Sequence, residues 1–270
     1  FAWQETWGSS EKWDEIITVA RLHPVTSLLH QSPCTYHGYA KPRGHPGDPV
    51  LLDYFLGHFS LSKQIEDASA LGRKLYTLGQ AESSSAKTVS WRFRYFARQW
   101  NMLANSSSNA RIMSVASGHM REAQFAKFCP NEVVALDADE TSLKLIQETY
   151  PHFPIVPIQA NPYSLLDSNY DVGKFDLIYS FGFFDYLNDD MLGEMTSRLL
   201  DRLNPGGRLI ITNFMPSSPE RGFMEIFMDW YLIYRTIPEV KAILKKHVPD
   251  ASVLAFQEEE GCMAIFELTL

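Results

Sequence analysis

RIMSVASGHMRE, residues 111–122, decides how the rest of the chain is read. An apolar run through Val115 gives way to small residues, and an Arg-Glu pair then opens an amphipathic segment. The pattern predicts a strand that passes through a tight turn into a helix. Such turns cradle nucleotides, because small residues let a ligand approach the backbone and the next helix presents its first N–H groups. Nucleotide turns usually carry two or three glycines, however, and this one has Gly118 alone. Taken by itself the stretch reads as a turn and no more.

Downstream, β-rich runs recur: RIMSV (111–115), EVVAL (132–136), FPIVPIQ (153–159), FDLIYS (175–180) and RLIITNF (208–214). Helical patterns lie at 121–129, 140–150 and 189–203, the last stopped by NPGG. Alternation of this kind predicts an α/β fold, a parallel sheet with helices on both faces. After helices expected near 219–235 and 238–247, ASVLAFQ and CMAIFEL, joined by EEEG, read as an antiparallel hairpin at the sheet edge. Upstream the chain predicts helices and no strand. SEKWDEIITVARL (10–22) has helical spacing, residues 23–49 form a loop rich in Pro, Gly and His, and LLDYFLGHF holds a short helix. Residues 61–82 and 88–105 read as two longer helices, the second carrying the basic cluster WRFRYFAR (91–98), whose aromatics recur at helical spacing. The polar break NSSSN (105–109) divides a helical region, 1–105, from an α/β domain, 106–270.

Composition removes several classes of function. Lysine and arginine number 24 against 32 aspartates and glutamates, a net charge of −8. An acidic surface disfavours nucleic acid as a partner. Cys34, Cys129 and Cys262 are odd in number and far apart, so neither a disulfide framework nor a zinc site is expected, and the default setting is cytoplasmic. No apolar run approaches the roughly 18 residues of a membrane span. FAWQETWGSSEKWDE (1–15) has no basic start followed by an apolar block, so no signal peptide is expected. His37 and His45 share a loop without a carboxylate or cysteine at ligand spacing, so no metal is expected.

In an open α/β sheet, ligands bind at the carboxyl ends of the strands. After the first strand comes Ala116-Ser117-Gly118-His119, and after the second come Asp137 and Ala138, with Asp139 behind. A carboxylate there can accept ribose hydroxyls, although an Asp closing a strand also serves as a helix cap. Asn161 follows the third strand, where an amide can read an adenine edge, and SFGFFDYLND (180–189) follows the fourth. GxGxxG and GK[ST] are both absent. What remains is a nucleoside cofactor without phosphates, and S-adenosylmethionine (SAM) fits.

Residues 106–270 resemble the class I SAM-dependent methyltransferases, above all in FDLIYSFGFFDYLNDDMLGEMTSRLLDRLNPGGRLIITNF. SPCTYHGYAKPRGHPGD, YSFGFFDYL and FMEIFMDWYLIYR are similar to a bacterial subgroup of small-molecule methyltransferases that includes enzymes making 3-hydroxy fatty acid methyl ester signals. The resemblance implies a Rossmann-like, mostly parallel sheet with a C-terminal antiparallel hairpin, preceded by a helical lid region that sets acceptor specificity. It maps the glycine turn onto Ala116, Ser117 and Gly118, the ribose position onto Asp137 beside Ala138, and the adenine side onto Asn161. Ser180 and Phe181 take the wall beside the methionine portion. The Arg121-Glu122 pair also matches; Glu122 alternatively is a first-turn residue favoured by the helix dipole.

The remaining candidates concern the second substrate, a small molecule. Arg43, in a Gly/Pro loop, can clamp a carboxylate or pair with Asp48. Asp185 and Tyr186 follow the fourth strand, to orient substrate or cap the next segment. MDWYLIYR (228–235) reads as a helix on which Tyr231 and Arg235, four apart, share a face and line the pocket, with Trp230 or Ile233 packing. By resemblance the reaction is carboxyl O-methylation of a hydroxy-acid-like metabolite. Azetidine-2-carboxylate synthases, which cyclise SAM on itself and release methylthioadenosine, use the same scaffold, and a non-catalytic SAM-binding module is a third class. Ala-Ser-Gly-His-Met stands where Gly-Cys-Gly is usual, a departure that hints at a reshaped methionine pocket.

Overall fold

The computed structural model describes residues 10–270. The stretch read as lacking a signal peptide begins at Phe1, so its first nine residues lie outside the described ones. By contacts the chain forms two compact units. The first holds the described residues up to Ser90 together with Ser217–Tyr231, and the second holds Trp91–Pro216 and Leu232–Leu270. The division falls after Ser90, inside a helix, rather than at the polar break 105–109. No helix of the described residues is long and apolar enough to cross a membrane.

The first unit is helical: α1 (Ser10–Leu22), α2 (Val25–Leu29), α3 (Pro33–Ala40), α4 (Pro49–Leu56), α5 (Ser62–Glu66), α6 (Ala70–Glu82) and the start of α7 (Ser84–Ser106). Most of the 23–49 loop is helical, because Ser32 and Asp48 cap α3 and α4 and a proline fills the first helical position of each. The single helix expected over 61–82 is two, because Ser69 turns extended and spends its hydroxyl on Gly72 N, starting α6 afresh.

The second unit carries a seven-stranded sheet: β1 (Arg111–Val115), β2 (Glu132–Asp137), β3 (Ile155–Gln159), β4 (Phe175–Ser180), β5 (Leu203–Phe214), β6 (Ser252–Gln257) and β7 (Met263–Thr269). The order is β3-β2-β1-β4-β5-β7-β6, parallel through β5, with β7 antiparallel to both its neighbours. β1 and β4 are almost wholly buried, as expected for central strands covered on both faces. The chain order reverses between β1 and β4, so the ligand crevice of this topology opens at Val115 and Ser180. α8 (Glu140–Thr149), α9 (Asp189–Leu200), α10 (Arg221–Phe227) and α11 (Ile237–His247) complete the chain; α10 belongs to the first unit.

Two more expected helices differ. Residues 121–129 form only a 3-10 turn, Arg121–Phe125. Asn101 Oδ1 accepts Lys127 N at 2.7 Å and Phe128 N at 2.8 Å, taking donors that a continuing helix would use. MDWYLIYR is not a helix. Asp229 is left-handed, with φ at 49°, and Trp230 N turns back to Met224 O at 3.0 Å, closing α10. Beyond it the chain is extended: Ile233 N donates to Asp185 O at 2.8 Å and Arg235 N to Phe214 O at 3.1 Å. Tyr231 and Arg235 therefore share no helical face, and they belong to different units.

The turn after β1 answers the glycine question. Ala116, Gly118 and Met120 all have positive φ, at 55°, 55° and 47°. Three left-handed residues alternate, and only the middle one is glycine. A left-handed non-glycine residue costs roughly 1–2 kcal/mol, so Ala116→Gly is expected to be neutral or to stabilise the fold by up to about 1 kcal/mol after the extra freedom of an unfolded glycine is subtracted. Urea denaturation measures it; a clear loss of stability would show that residue 116 carries no strain.

Candidate functional site

The second unit gathers its polar groups at the carboxyl ends of β1, β2 and β4. Asp137 closes β2 and accepts Gly118 N at 2.8 Å and Asp139 N at 2.9 Å, one on each carboxylate oxygen. It is not the helix cap: Asp139 caps α8 through Thr141 N at 3.0 Å. A carboxylate offers about four lone-pair positions, so Asp137 retains acceptor capacity beside the turn. Ser117 N donates to Leu136 O at 3.1 Å, and Ser117 Oγ is buried without a partner. Ala138 is exposed next to Asp137. Asn161 caps the 3-10 turn Pro162–Leu166 through Tyr163 N at 3.1 Å, and its residue surface is exposed.

Ser180 is wholly buried, its hydroxyl donating to Val115 O at 2.9 Å, which ties β4 to β1 at the reversal point. Phe181 is buried against Phe96, with centroids 5.2 Å apart, and edge-on to Phe93 at 5.3 Å. Over Phe181, at 4.5 Å, lies the guanidinium of Arg92. Arg92 is among the largest fully buried side chains of the molecule, and its Nε has no partner. Burial pulls its pKa down to about 10, against the pull of Asp185 and Glu122, so it stays charged at neutral pH.

Glu122 is completely buried, accepting Tyr179 OH at 2.5 Å on Oε1 while Oε2 has no partner. Burial pushes its pKa up to about 7, opposed by the Tyr179 bond and by Arg92 and Arg121. The first-turn role of Glu122 gives way to this one, since the segment it opens is a buried 3-10 turn. His119 Nδ1 lies 3.5 Å from Arg121 Nη2, and both residues are buried. Asp185 is likewise buried, accepting Phe214 N at 2.6 Å and Asn213 Nδ2 at 3.1 Å. Burial raises its pKa to about 6, partly offset by the Phe214 bond and by Arg92 and Arg235.

Of the other candidates, Arg235 meets Asp185 through Asn213. Arg235 is buried and fully engaged, donating to Leu187 O at 2.6 Å, to Asp189 Oδ1 at 2.8 Å and to Asn213 Oδ1 at 3.0 Å. It braces the segment after β4 and leaves no fork for a substrate carboxylate. Tyr186 is exposed. In the first unit, Tyr231 is exposed and its hydroxyl receives Arg21 Nη2 at 3.1 Å. Arg43 is half-buried in the loop between α3 and α4. Asp48 binds His37 Nε2 at 2.8 Å and the first backbone N–H groups of α4. Trp230 is buried and stacks on Phe55. Among the described residues no group of three His, Cys, Asp or Glu converges as a metal site would require.

Residues 113–211 match the methyltransferase domain family. The second unit has the class I methyltransferase fold. A structure from Bordetella parapertussis, described as that of a possible exported protein, is similar over 90% of this chain and 94% of that one, with 15% identity and a TM-score of 0.60. Magnesium protoporphyrin IX methyltransferase from Synechocystis PCC 6803, solved with bound SAM, is similar over 81% of this chain and 94% of its own, with 13% identity and a TM-score of 0.50. At these identities the likeness shows the fold. No curated protein matches the chain by sequence.

Arg92 and Tyr179 were not singled out as site residues in the sequence. Arg92 carried a signal: it lies on the stripe of α7 shared by Val89, Phe93 and Phe96, so a helix with an inward apolar stripe had to bury a cation.

Glu122 and Asp185 keep protons in the folded chain at pH values where the unfolded chain has released them. Their contribution to stability is present in acid and lost as pH rises through about 6 and about 7. Glu122→Gln preserves the Tyr179 bond and cannot ionise. Between about pH 5 and pH 8 the unsubstituted chain is expected to lose on the order of 1–3 kcal/mol relative to this variant. Urea melts across that window test it; parallel curves would show that Glu122 does not titrate there.

Proposed function

We propose that the chain is a SAM-dependent methyltransferase acting on a small molecule. The observation that carries the reading is the β1 turn at the reversal point, three alternating left-handed residues braced by a carboxylate with acceptor capacity to spare. That arrangement suits a nucleoside. The turn's small residues permit close approach, Asp137 accepts the ribose hydroxyls beside Ala138, and Asn161 stands on the adenine side. Ser180 and Phe181 form the wall beside the methionine portion. Arg92, charged and with its Nε without a partner, lies over Phe181 at 4.5 Å and can hold an anion beside that wall. SAM, when bound, supplies an electrophilic methyl carbon. The chain's task is to align an acceptor and exclude water, with little acid–base work for an acceptor already ionised.

The motifs shared with the subgroup making hydroxy fatty acid methyl esters point to a carboxylate acceptor of hydroxy-acid type. Arg43, in the loop between α3 and α4, is the guanidinium this reading assigns to the carboxylate, since Arg235 bonds Leu187 O, Asp189 and Asn213. Tyr186 and Asp185 serve it as orienting groups. The β1 turn keeps a glycine-type backbone at Ala116 and Met120, so the unusual Ala-Ser-Gly-His-Met sequence does not by itself argue for cyclisation.

Pure protein incubated with SAM, with and without a panel of hydroxy acids, tests the proposal by mass spectrometry of the nucleoside product. S-adenosylhomocysteine is expected, and only with an acceptor. Methylthioadenosine with a cyclic amino acid from SAM alone would overturn transfer in favour of cyclisation, and tight SAM binding without turnover would leave a binding module. Asp137→Ala is expected to weaken SAM binding at least about tenfold, the worth of one charge-assisted hydrogen bond. Calorimetry checks it, and unchanged affinity removes Asp137 from the ribose site.

A further inference from the structure

The first unit contains a cavity of about 340 Å³ that the strand-end site does not use. That is within the range of small-molecule sites, roughly 300–1,000 Å³. Its wall is aliphatic, aromatic and thioether, including Leu29, Phe55, Leu75, Phe223, Met224 and Met228. All belong to the first unit.

The charge of the lining is one-sided. Among the described residues, Glu82 and Glu220 are the charged ones that line it, with no lysine, arginine or histidine. Glu82 is exposed, whereas Glu220 is half-buried and held in place. Glu220 Oε1 accepts Ser84 N at 2.7 Å, and Oε2 accepts Ser85 Oγ at 3.0 Å, at the N-terminus of α7. These two bonds leave about half of the carboxylate's lone-pair positions open. A ligand with an apolar body fills the wall, and its polar end then decides binding. A carboxylate would enter against two like charges with no cation among the described lining residues to pair with, while an ammonium gains a charge-assisted bond to an oriented acceptor.

We propose that this cavity binds a small apolar amine, its hydrocarbon body against the Leu, Phe and Met wall and its ammonium on Glu220. The proposal rests on residues of the first unit alone and stands whether or not the second unit binds SAM.

Calorimetric titration of the full chain with n-octylamine, n-octanol and sodium octanoate, each below its micellar concentration, tests it. Octylamine is expected to bind saturably, octanol about tenfold more weakly for want of the charged bond, and octanoate not at all. Glu220→Gln keeps an acceptor for Ser84 N, and is expected to bring octylamine down to the octanol affinity while leaving octanol unchanged. Gly79 also lines the cavity, and a Cβ added there meets nothing within 4 Å. Leucine suits a helix better than glycine, so Gly79→Leu is expected to fold, checked by circular dichroism, and to lose both ligands. SAM titrated into the same variants is expected to behave as with the unsubstituted chain, which separates failure here from failure of the SAM reading. Octanoate or octanol binding as tightly as octylamine, no saturable binding by any of the three, or a folded Gly79→Leu with undiminished affinity would each overturn the proposal.

Discussion

Asp137 holds the turn on which the strand-end site depends. The chain must leave β1 at the point where the sheet reverses direction, and it does so through left-handed residues at alternate positions, two of them not glycine. That backbone is unfavourable by itself. It persists because Asp137 accepts Gly118 N from the turn and Asp139 N from its own strand end, and because Met120 is buried beyond the turn. Charge-assisted bonds of this kind contribute about 1.5–3 kcal/mol each, the scale of the strain they oppose. Glycine is thus one solution to the turn, and a carboxylate brace with a buried side chain is another.

Behind the turn, the second unit buries charge. Arg92 on α7, Glu122 after the turn and Asp185 after β4 are each nearly or wholly inaccessible. Each carries an atom without a partner. Burying such groups costs several kcal/mol unless they compensate one another, and their pKa values record the strain: both carboxyls rise and the guanidinium falls. The rings of Phe96, Tyr179 and Phe181 stack beside Arg92, while the Tyr179 hydroxyl moderates the rise at Glu122.

The strands were legible because period and bounding residues agree. RIMSV and FDLIYS begin and end as the sequence predicts, and the terminal pair is the antiparallel hairpin expected at the edge. Errors fell where one side chain redirects a backbone. Asn101, distant in sequence, takes the donors of Lys127 and Phe128 and ends a helix that amphipathic spacing had extended. Asp229 turns left-handed and converts MDWYLIYR from helix to extended chain, which removes the shared face assigned to Tyr231 and Arg235. Arg235 then meets Asp189, Asn213 and Leu187 O and becomes a brace. Ala116, Ser117, Gly118, Asp137, Ser180 and Phe181 do lie at the ends of β1, β2 and β4, because the order of elements dictates where strand ends lie; the roles assigned to them came from the resemblance.

The sequence by itself determined the order of elements, the parallel sheet with its edge hairpin and the positions that close each strand, since periodicity and turn chemistry are local properties. It also carried an inward-facing Arg92, legible on the stripe of α7. Only the tertiary structure decided that residues 116 and 120 take glycine's conformation without being glycine. The same holds for the two buried carboxyls, whose protons are raised toward neutral pH, and for the acidic, apolar cavity that assembles from distant helices of the first unit. Each of these depends on groups far apart in the chain meeting where water is excluded, and no local pattern encodes that meeting.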